Sequence, residues 1–241
     1  MNFDNFEKIK TINPDIENTW CRNFLTFDID WAADEILADT MSLVAEKNIK
    51  VTWFVTHGSP TVSKIRENNA WEMGLHPNFN QLLNGEKRGS ADEILADLFQ
   101  IVPSATSIRS HSLVQSSRLG QLFVNSGITH ESNDYIPSHC VNEVKPYRLE
   151  NGLIKIPYIF SDELWCLSEH NQTDFLSLTQ RSGLRVFNFH PIHVYLNTEC
   201  LQRYERTREF HHNPEKLIRH RYSGYGTRSR LIDLLNEAKD Q

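Results

Sequence analysis

Two acidic residues, Asp28 and Asp30, stand one residue apart directly after an apolar segment, residues 24–27, that reads as a buried β-strand. In a strand, residues i and i+2 point to the same side. Two carboxylates cannot share a buried face unless a cation or a shared proton offsets their repulsion and desolvation. The pair must therefore lie where the strand opens to solvent or to a metal ion, and we expect chemistry there.

Other predicted strands also end in groups that can titrate or bind a metal. The predicted strands cover residues 23–28, 50–55, 72–76, 106–109, 127–130, 153–157 and 184–190. The groups that follow them, beyond the acid pair, are His57, His76, Arg109 with His111, His130, and His190. Carboxylate and imidazole groups without thiolate suit Zn²⁺, Fe²⁺, Mn²⁺ or Co²⁺ in a hydrolytic role. A second carboxylate beside the metal could deprotonate a water molecule.

Helical segments separate these strands. Amphipathic patterns predict helices over residues 34–47, 90–102, 116–126, 174–181 and 228–238, and Ser90 with Glu93 has the form of a capping box. Strands that alternate with helices indicate parallel β/α units. About seven such units favour an open or closed β/α barrel over a doubly wound sheet. In such a barrel, catalytic groups gather at the carboxyl ends of the strands.

Composition bounds the class of protein. The chain has 241 residues, of which 39% are hydrophobic and 23% charged, as is usual for a soluble protein with one sizeable core. We expect a single domain over residues 1–241, with a core over 20–195 and a C-terminal helical segment over 196–241. The four cysteines form no C-x-x-C pair, which argues against a zinc ribbon or a disulfide framework and favours a reducing compartment.

Charge and hydropathy indicate a cytoplasmic protein. The first residues are polar and lack the apolar region of a signal peptide, and no apolar run is long enough to span a bilayer. The net charge is −6, but residues 201–241 carry a net charge of +3. This basic segment could hold an anionic group. It is not basic enough to predict nucleic-acid binding.

An ordered set of motifs resembles the polysaccharide deacetylase (NodB-homology) family. Residues 26–30, Thr-Phe-Asp-Ile-Asp, resemble its first motif, and residues 72–77, Glu-Met-Gly-Leu-His-Pro, resemble the stem of its second. Arg109 stands where the third-motif arginine is expected. Residues 152–157 resemble a Gly-Leu-x-Glu-Ile-Pro strand, and His190 resembles the fifth-motif histidine. The order and rough spacing hold over residues 20–195.

This resemblance implies a distorted (β/α)₇-type barrel and metal-dependent hydrolysis of the acetamide of an N-acetylated sugar. It implies that Asp28 is the general base and that Asp30 and His76 are metal ligands. It further implies that Arg109 orients Asp28 and that His190 protonates the leaving amine. The cofactor would be a divalent metal, with zinc expected first and iron, manganese or cobalt as alternatives.

The second motif departs from the family pattern. Asn80 stands where the family usually has a second metal-binding histidine. Because an amide oxygen is a weak ligand for zinc, either the third ligand comes from elsewhere or the metal is bound loosely. His111 is the candidate replacement, since Arg109 and His111 have the i, i+2 relation that points both side chains one way. The predicted metal ligands are therefore Asp30, His76 and His111, with Asn80 as a weak fourth.

The same motif looks like that of family members from bacterial surface-polysaccharide (O-antigen) biosynthesis. The substrate would be an N-acetylated sugar, or a sugar carried on a nucleotide or lipid diphosphate. A diphosphate would give the basic segment a ligand, through Arg219, Arg221, Arg228 and Arg230. Trp31 and Trp165 are the aromatic residues expected near a sugar ring. Two other functions stay open: a non-catalytic carbohydrate-binding relative that has lost part of the metal site, and a metal-dependent hydrolase of a non-sugar amide.

Overall fold

The fold is built on one mainly parallel β-sheet. A computed structural model describes residues 6–86, 88–167 and 175–237. Its nine strands are β1 (Asn23–Asp28), β2 (Val51–Val55), β3 (Trp71–Leu75), β4 (Ser107–Ile108), β5 (His130–Glu131), β6 (Tyr147–Arg148), β7 (Ile154–Lys155), β8 (Phe160–Ser161) and β9 (Arg185–Phe189). They pair in the order β6-β7-β5-β4-β3-β2-β1-β9-β8. Of these pairs, only β6–β7 is antiparallel.

Helices connect the strands and cover the sheet. They are α1 (Asp34–Ala45), α2 (Pro60–Glu67), α3 (Asn80–Leu83), α4 (Ala91–Ile101), α5 (Ser117–Asn125), α6 (Asp162–Leu167), α7 (Pro191–Leu196), α8 (Leu201–Arg206), α9 (Pro214–Leu217) and α10 (Thr227–Glu237). Four of them were predicted, namely α1, α4, α5 and α10, although the predicted last residue of α10, Ala238, lies outside the described residues. The predicted capping box of α4 is confirmed, because Ser90 and Glu93 each bind the other's backbone N–H.

One predicted helix is wrong in type. The segment predicted over residues 174–181 forms a 3₁₀ helix, Phe175–Gln180, and its first residue, Asp174, lies outside the described residues. The predicted distorted α/β barrel is confirmed, because the sheet curls into a half-barrel within a single α/β domain. The division into a core and a C-terminal helical segment stays a prediction. In the described ranges, no helix is long and apolar enough to cross a bilayer.

The centre of the sheet explains why the acid pair is where it is. Every residue of β1 is buried, and β1 lies between β2 and β9 in parallel register. Central parallel strands are covered on both faces, so their sequences are nearly continuous apolar runs. The Phe27 ring stacks on Trp53 of β2 with a centroid distance of 4.2 Å. The carboxyl ends of β1, β2, β3 and β9 therefore meet at one edge, directly where the polar residues begin.

Candidate active site

Asp28 and Asp30 lie on either side of the point where β1 ends. Asp28 is the last residue of the strand and is buried. Asp30 and Trp31 both have left-handed backbone angles, φ 39° and φ 54°. Such angles are unfavourable for residues other than glycine and persist where the surrounding structure imposes them. Here Thr56 Oγ1 accepts the Trp31 N–H at 3.1 Å, which fixes the turn against the end of β2.

Asp30 and two histidines form a cluster suited to a metal ion. Asp30 Oδ1 lies 3.0 Å from His76 Nε2 and 3.1 Å from His111 Nδ1. One ligand atom from each residue lies within 4.8 Å of the others. Two ligands bound at about 2.1 Å to one cation lie about 3.0 to 3.4 Å apart. The spacing and the donor set, one carboxylate and two imidazoles, therefore fit a divalent cation with positions left for water and substrate.

The cluster also favours the ionised carboxylate. Burial alone would raise the pKa of Asp30, but the contacts with His111 and His76 hold that pKa well below its ordinary value. An ionised carboxylate is the form that binds metals. The three residues were predicted together from the sequence, and the structure brings them together; their role as ligands stays a prediction.

Asn80 makes a different contact from the one predicted. It is the first residue of α3, and its side-chain Nδ2 donates to Ser112 Oγ at 3.0 Å. Ser112 directly follows His111 in the chain, and the His111 N–H donates to the carbonyl of Pro77 at 2.9 Å. The segment in which the family has its second histidine thus supports the loop that carries His111.

Asn133 supports the same loop from its other side. Its Oδ1 accepts the Ser110 N–H at 2.7 Å, and its Nδ2 lies 3.5 Å from the Val114 carbonyl. The same Nδ2 donates to Glu131 Oε1 at 2.7 Å, and Glu131 pairs with the buried Lys155 at 3.0 Å. The loop contains two consecutive residues at φ 54° and 55°, so it needs such support. The sequence did not predict this network.

Asp28 is held by two hydrogen bonds. Arg109 Nη1 donates to its Oδ1 at 3.0 Å, and Asn188 Nδ2 donates to its Oδ2 at 2.8 Å. Burial would raise the pKa of Asp28, but Arg109 and, after it, His76 and His190 lower it below the ordinary value. Asp28 is therefore an oriented carboxylate that carries its negative charge at neutral pH.

Arg109 is fully buried and has partners on every side. Its Nη1 also donates to Thr26 Oγ1 at 3.0 Å, and its Nε donates to the Ser132 carbonyl at 2.8 Å. The guanidinium lies between the rings of Phe54 and Tyr158, 4.5 and 4.7 Å from their centroids. A planar guanidinium suits such a site because it stacks and forms several directed hydrogen bonds. The contact with Asp28 is the one that the predicted orienting role requires.

His190 faces the acid pair and is held from behind by Asp162. The backbone N–H of His190 donates to Asp162 Oδ2 at 2.8 Å. The ring Nδ1 of His190 lies 2.6 Å from Asp162 Oδ1. Its Nε2 lies 3.7 Å from both Asp28 Oδ2 and Asp30 Oδ2. Burial would lower the pKa of His190, but Asp162 first, and then the acid pair, raise it to about 10. Asp162 was missed because it follows β8, a two-residue strand that the sequence did not predict.

A cavity of about 470 Å³ is lined by Asp28, Asp30, His76, His111 and His190. The cavity is also lined by residues of α6, α7 and α8 and by a residue after α8, namely Leu164, Ile192, Tyr204 and Arg208. A cavity of this volume is ordinary for a small-molecule site, for which the usual range is about 300 to 1,000 Å³. The arrangement can therefore hold a cation, an ionised carboxylate and a protonated imidazole around one small organic group.

Other candidates from the sequence lie elsewhere. His57 and His130 do not line this cavity, and His130 Nε2 lies 2.9 Å from the Ile12 carbonyl. Trp165 lies beneath the guanidinium of Arg230, 5.9 Å from ring to cation. Arg221 and Arg228, which the sequence offered for a diphosphate, both contact Asp39 instead.

Comparison with known proteins finds one matching family model and one solved structure with substantial sequence identity. A family model described as WbmS-like polysaccharide deacetylase matches residues 25–208. A crystal structure from Bordetella bronchiseptica, named as WbmS, a polysaccharide deacetylase involved in O-antigen biosynthesis, is 39% identical, with a TM-score of 0.91 and 98% of each chain covered. The comparison with curated proteins found no match.

More distant structures share the fold alone. One, named as a polysaccharide deacetylase from Mycobacterium smegmatis, is 16% identical with a TM-score of 0.50, and 90% of each chain is covered. The other is a 4-α-glucanotransferase from Thermococcus litoralis, which is 12% identical with a TM-score of 0.50. That comparison covers 91% of this chain and 36% of the other.

Proposed function

The chain belongs to the WbmS-like family of polysaccharide deacetylases, and we propose that it is a metal-dependent hydrolase that removes the N-acetyl group from an amino sugar in surface-polysaccharide biosynthesis. The observation that carries the proposal is the cluster of Asp30, His76 and His111 directly beside Asp28 and His190. A carbohydrate deacetylase of this kind needs a metal site, a base and an acid around one amide, and these residues supply all three.

The metal site would be completed by His111. The family's usual second-motif histidine is replaced by Asn80, whose contact with Ser112 helps to hold the loop that presents His111. A divalent cation, zinc in the first place, would polarise the acetamide carbonyl and lower the pKa of a water molecule. Iron, manganese and cobalt accept the same donors and are the alternatives.

Asp28 would act as the general base. It is ionised, and Arg109 and Asn188 fix both of its oxygens by one hydrogen bond each, which leaves lone pairs free to accept a proton. Its Oδ1 lies 3.9 Å from His76 Nδ1, so it stands beside the metal cluster without belonging to it. A water molecule in the cavity can therefore lose its proton to Asp28 as it attacks the acetyl carbon.

His190 would act as the general acid. Its pKa of about 10 keeps the imidazole protonated at neutral pH, and Asp162 fixes the ring so that Nε2 faces the acid pair. A deprotonated amide nitrogen is a very poor leaving group. Proton donation from Nε2 to that nitrogen lets the sugar leave as a neutral amine. Acid and base stand together because they follow the neighbouring strands β9 and β1.

The substrate side of the proposal is an acetylated carbohydrate. The arginines expected to bind a diphosphate do not line the cavity, and Arg221 and Arg228 contact Asp39. We therefore base recognition on the sugar and its acetamide, and Arg208, which lines the cavity, is the cation that a diphosphate carrier would meet there.

Metal analysis and acetate release test the function together. Protein purified without chelator should contain about one divalent cation per chain and release acetate from at least one member of a panel of N-acetylated amino sugars, their oligomers and their nucleotide-linked forms. Asp30→Ala should lose both properties, whereas Asp92→Asn, an exposed carboxylate in the first turn of α4, should keep both.

Two results would contradict the proposal. Wild-type protein that contains no divalent cation would contradict the proposal, since the proposed chemistry depends on a bound cation. Full acetate release by Asp28→Asn would show that another group is the base. A protein that binds N-acetylated sugars but releases no acetate with the cation bound would be the non-catalytic relative instead.

A further inference from the structure

We propose that the hydroxyl of Tyr158 donates a hydrogen bond to the acetyl oxygen of the substrate as negative charge develops on that oxygen, which makes Tyr158 a further catalytic residue. This inference rests on the proposed deacetylase function. It adds a hydrogen-bond donor to the base and the acid of that proposal, at an atom of the amide that neither of them contacts.

Tyr158 lies where the chain crosses from one half of the sheet to the other. The Ile156 N–H donates to the Glu131 carbonyl of β5 at 2.8 Å, whereas the Ile159 N–H donates to the Val186 carbonyl of β9 at 3.1 Å. Residues 156–159 therefore bridge the two sides of the half-barrel. The Tyr158 side chain lines the cavity of the candidate active site, although the residue is only 3% exposed.

The hydroxyl of Tyr158 has no partner in the protein. In the part of the chain that the structure describes, its Oη forms no hydrogen bond. Oη is nevertheless not one of the polar atoms that are sealed from solvent without a partner, so it opens on the cavity. Buried tyrosine hydroxyls usually have a hydrogen-bond partner. A buried tyrosine whose hydroxyl faces a cavity unpaired therefore indicates that a ligand in the cavity supplies the partner.

Arg109 places the Tyr158 ring beside the proposed base. The guanidinium carbon of Arg109 lies 4.7 Å from the centroid of the Tyr158 ring, and Nη1 of the same guanidinium donates to Asp28 Oδ1 at 3.0 Å. Reacting atoms must approach within about 3 to 3.5 Å, so the acetyl carbon must lie next to the water molecule that Asp28 activates. The hydroxyl of Tyr158 is therefore placed to meet the acetyl group rather than the more distant hydroxyls of the sugar.

Tyr158 keeps its proton and can donate. Burial raises the pKa of Tyr158, and the charge of Asp28 adds to this rise against the opposing charge of Arg109. The phenol is therefore neutral at physiological pH. A neutral donor held rigidly in a site with little water stabilises developing negative charge without having to reorient.

The reaction needs no proton from Tyr158. The oxygen of a water molecule bonds to the acetyl carbon and gives one proton to Asp28, while the π electron pair of the carbonyl moves to the acetyl oxygen. That pair re-forms the carbonyl as the C–N bond breaks, and the nitrogen takes a proton from His190. Tyr158 binds the acetyl oxygen while it carries the charge, and the O–H bond of the phenol stays intact throughout.

Tyr158→Phe tests this role, because it removes the hydroxyl and keeps the ring beside Arg109. Acetate release is measured with zinc-loaded protein and the N-acetylated sugar that the wild type hydrolyses fastest. Loss of one donor to such an oxygen lowers kcat by about 100- to 1,000-fold. We expect a fall of this size in kcat with KM near the wild-type value, since the hydrogen bond strengthens only as the charge develops.

A binding measurement gives a second readout that does not depend on turnover. The probe is an analogue of the same sugar, or of N-acetylglucosamine if no sugar releases acetate, in which a methylphosphonamidate replaces the acetamide. Its tetrahedral phosphorus carries an anionic oxygen, as the attacked acetyl carbon does. In calorimetric titrations Tyr158→Phe should lose affinity for the analogue by about the factor lost in kcat, and should keep its affinity for the acetylated sugar.

The matched control is Tyr135→Phe. The Tyr135 ring lies 5.3 Å from that of Tyr158 between centroids, but Tyr135 does not line the cavity. This variant loses the same group from a neighbouring ring and should keep the wild-type kcat and the wild-type affinity for the analogue.

Three results would overturn the inference. The first is a wild-type kcat or a wild-type affinity for the analogue in Tyr158→Phe. The second is a raised KM with unchanged kcat, which would mean that the hydroxyl binds the sugar and not the developing charge. The third is a Tyr158→Phe protein that does not fold, as judged by circular dichroism, because a hydroxyl without a partner in the protein should not be needed for folding.

The outcomes separate this inference from the proposed function. Acetate release by the wild type together with an unchanged Tyr158→Phe would overturn the role of Tyr158 and leave the deacetylase proposal standing. Binding of the analogue that depends on the Tyr158 hydroxyl, without acetate release from any sugar, would support the donor and contradict the enzymatic function. A wild type that neither releases acetate nor binds the analogue would contradict both.

Discussion

Replacing Asp162 with asparagine tests how His190 keeps its proton. The asparagine side-chain oxygen could still accept the backbone N–H of His190. The variant would lose the negative charge that lies 2.6 Å from the ring Nδ1 of His190. The rise in the pKa of His190 from 6.5 to about 10 corresponds to about 5 kcal/mol in favour of the imidazolium. Of the three carboxylates that raise the pKa of His190, Asp162 makes the largest contribution. Removal of its charge therefore lowers the pKa of His190.

The sign of the effect on activity follows from the role of the acid. A neutral imidazole cannot protonate the leaving amine, so kcat falls as pH rises through the pKa of His190. In Asp162→Asn the alkaline limb of the pH profile of kcat should therefore move to lower pH. At neutral pH, kcat should fall about tenfold or more, because the ring also loses the group that orients it.

The assay is acetate release across pH, with metal content measured for each variant. Asp92→Asn makes the same carboxylate-to-amide change on an exposed residue and should keep the wild-type profile. An unchanged alkaline limb in Asp162→Asn, with wild-type metal content, would contradict the proposed role of Asp162. Either His190 would not be the acid or Asp162 would not control its protonation.

Three further predictions concern the support of the site. Asn133→Ala should weaken zinc binding about 10- to 100-fold in a chelator competition. The loop that carries His111 would lose the side chain that joins Ser110 to Glu131. A wild-type affinity for zinc would contradict this role of Asn133. Arg109→Met should lower the free energy of unfolding by about 3 to 5 kcal/mol in urea titrations, since it leaves the buried Asp28 without its cationic partner. A loss below about 1 kcal/mol would contradict this stabilising role of Arg109. Gly74→Ala should lower the free energy of unfolding by about 1 to 3 kcal/mol in the same titration, because an added Cβ would lie 2.6 Å from Ser107 Oγ and 2.8 Å from the Phe54 ring. Wild-type stability would show that both side chains move away freely.

The long central strands were predictable because burial on both faces leaves a clear pattern. β1, β2, β3 and β9 are five or six residues long, and nearly all of their residues are buried. Their carboxyl ends carry most of the candidate site, so the rule that catalytic groups follow such strands found Asp28, Asp30, His76 and His190. β6 and β8 lie outside every predicted strand, so the rule on strand ends did not reach Asp162, which follows β8.

The position of His111 shows what a sequence pattern leaves out. Its spacing from Arg109 made it a candidate, but β4 ends at Ile108, so the strand alternation behind that argument does not extend to either residue. The ring reaches Asp30 because the loop turns through two left-handed residues and is held by Asn133 and by Asn80, residues distant from it in the chain. Asn80 thus has a structural explanation: its side-chain amide, which stands in place of the family's histidine, binds Ser112 in the loop that brings His111 to the cluster. Its predicted role as a weak fourth ligand stays a prediction. On this view Asn80→His should not restore a stronger metal site, because it would remove the support of His111 as it adds a ligand. A tighter zinc site in Asn80→His, measured by the same chelator competition, would mean that the loop holds His111 without the help of Asn80.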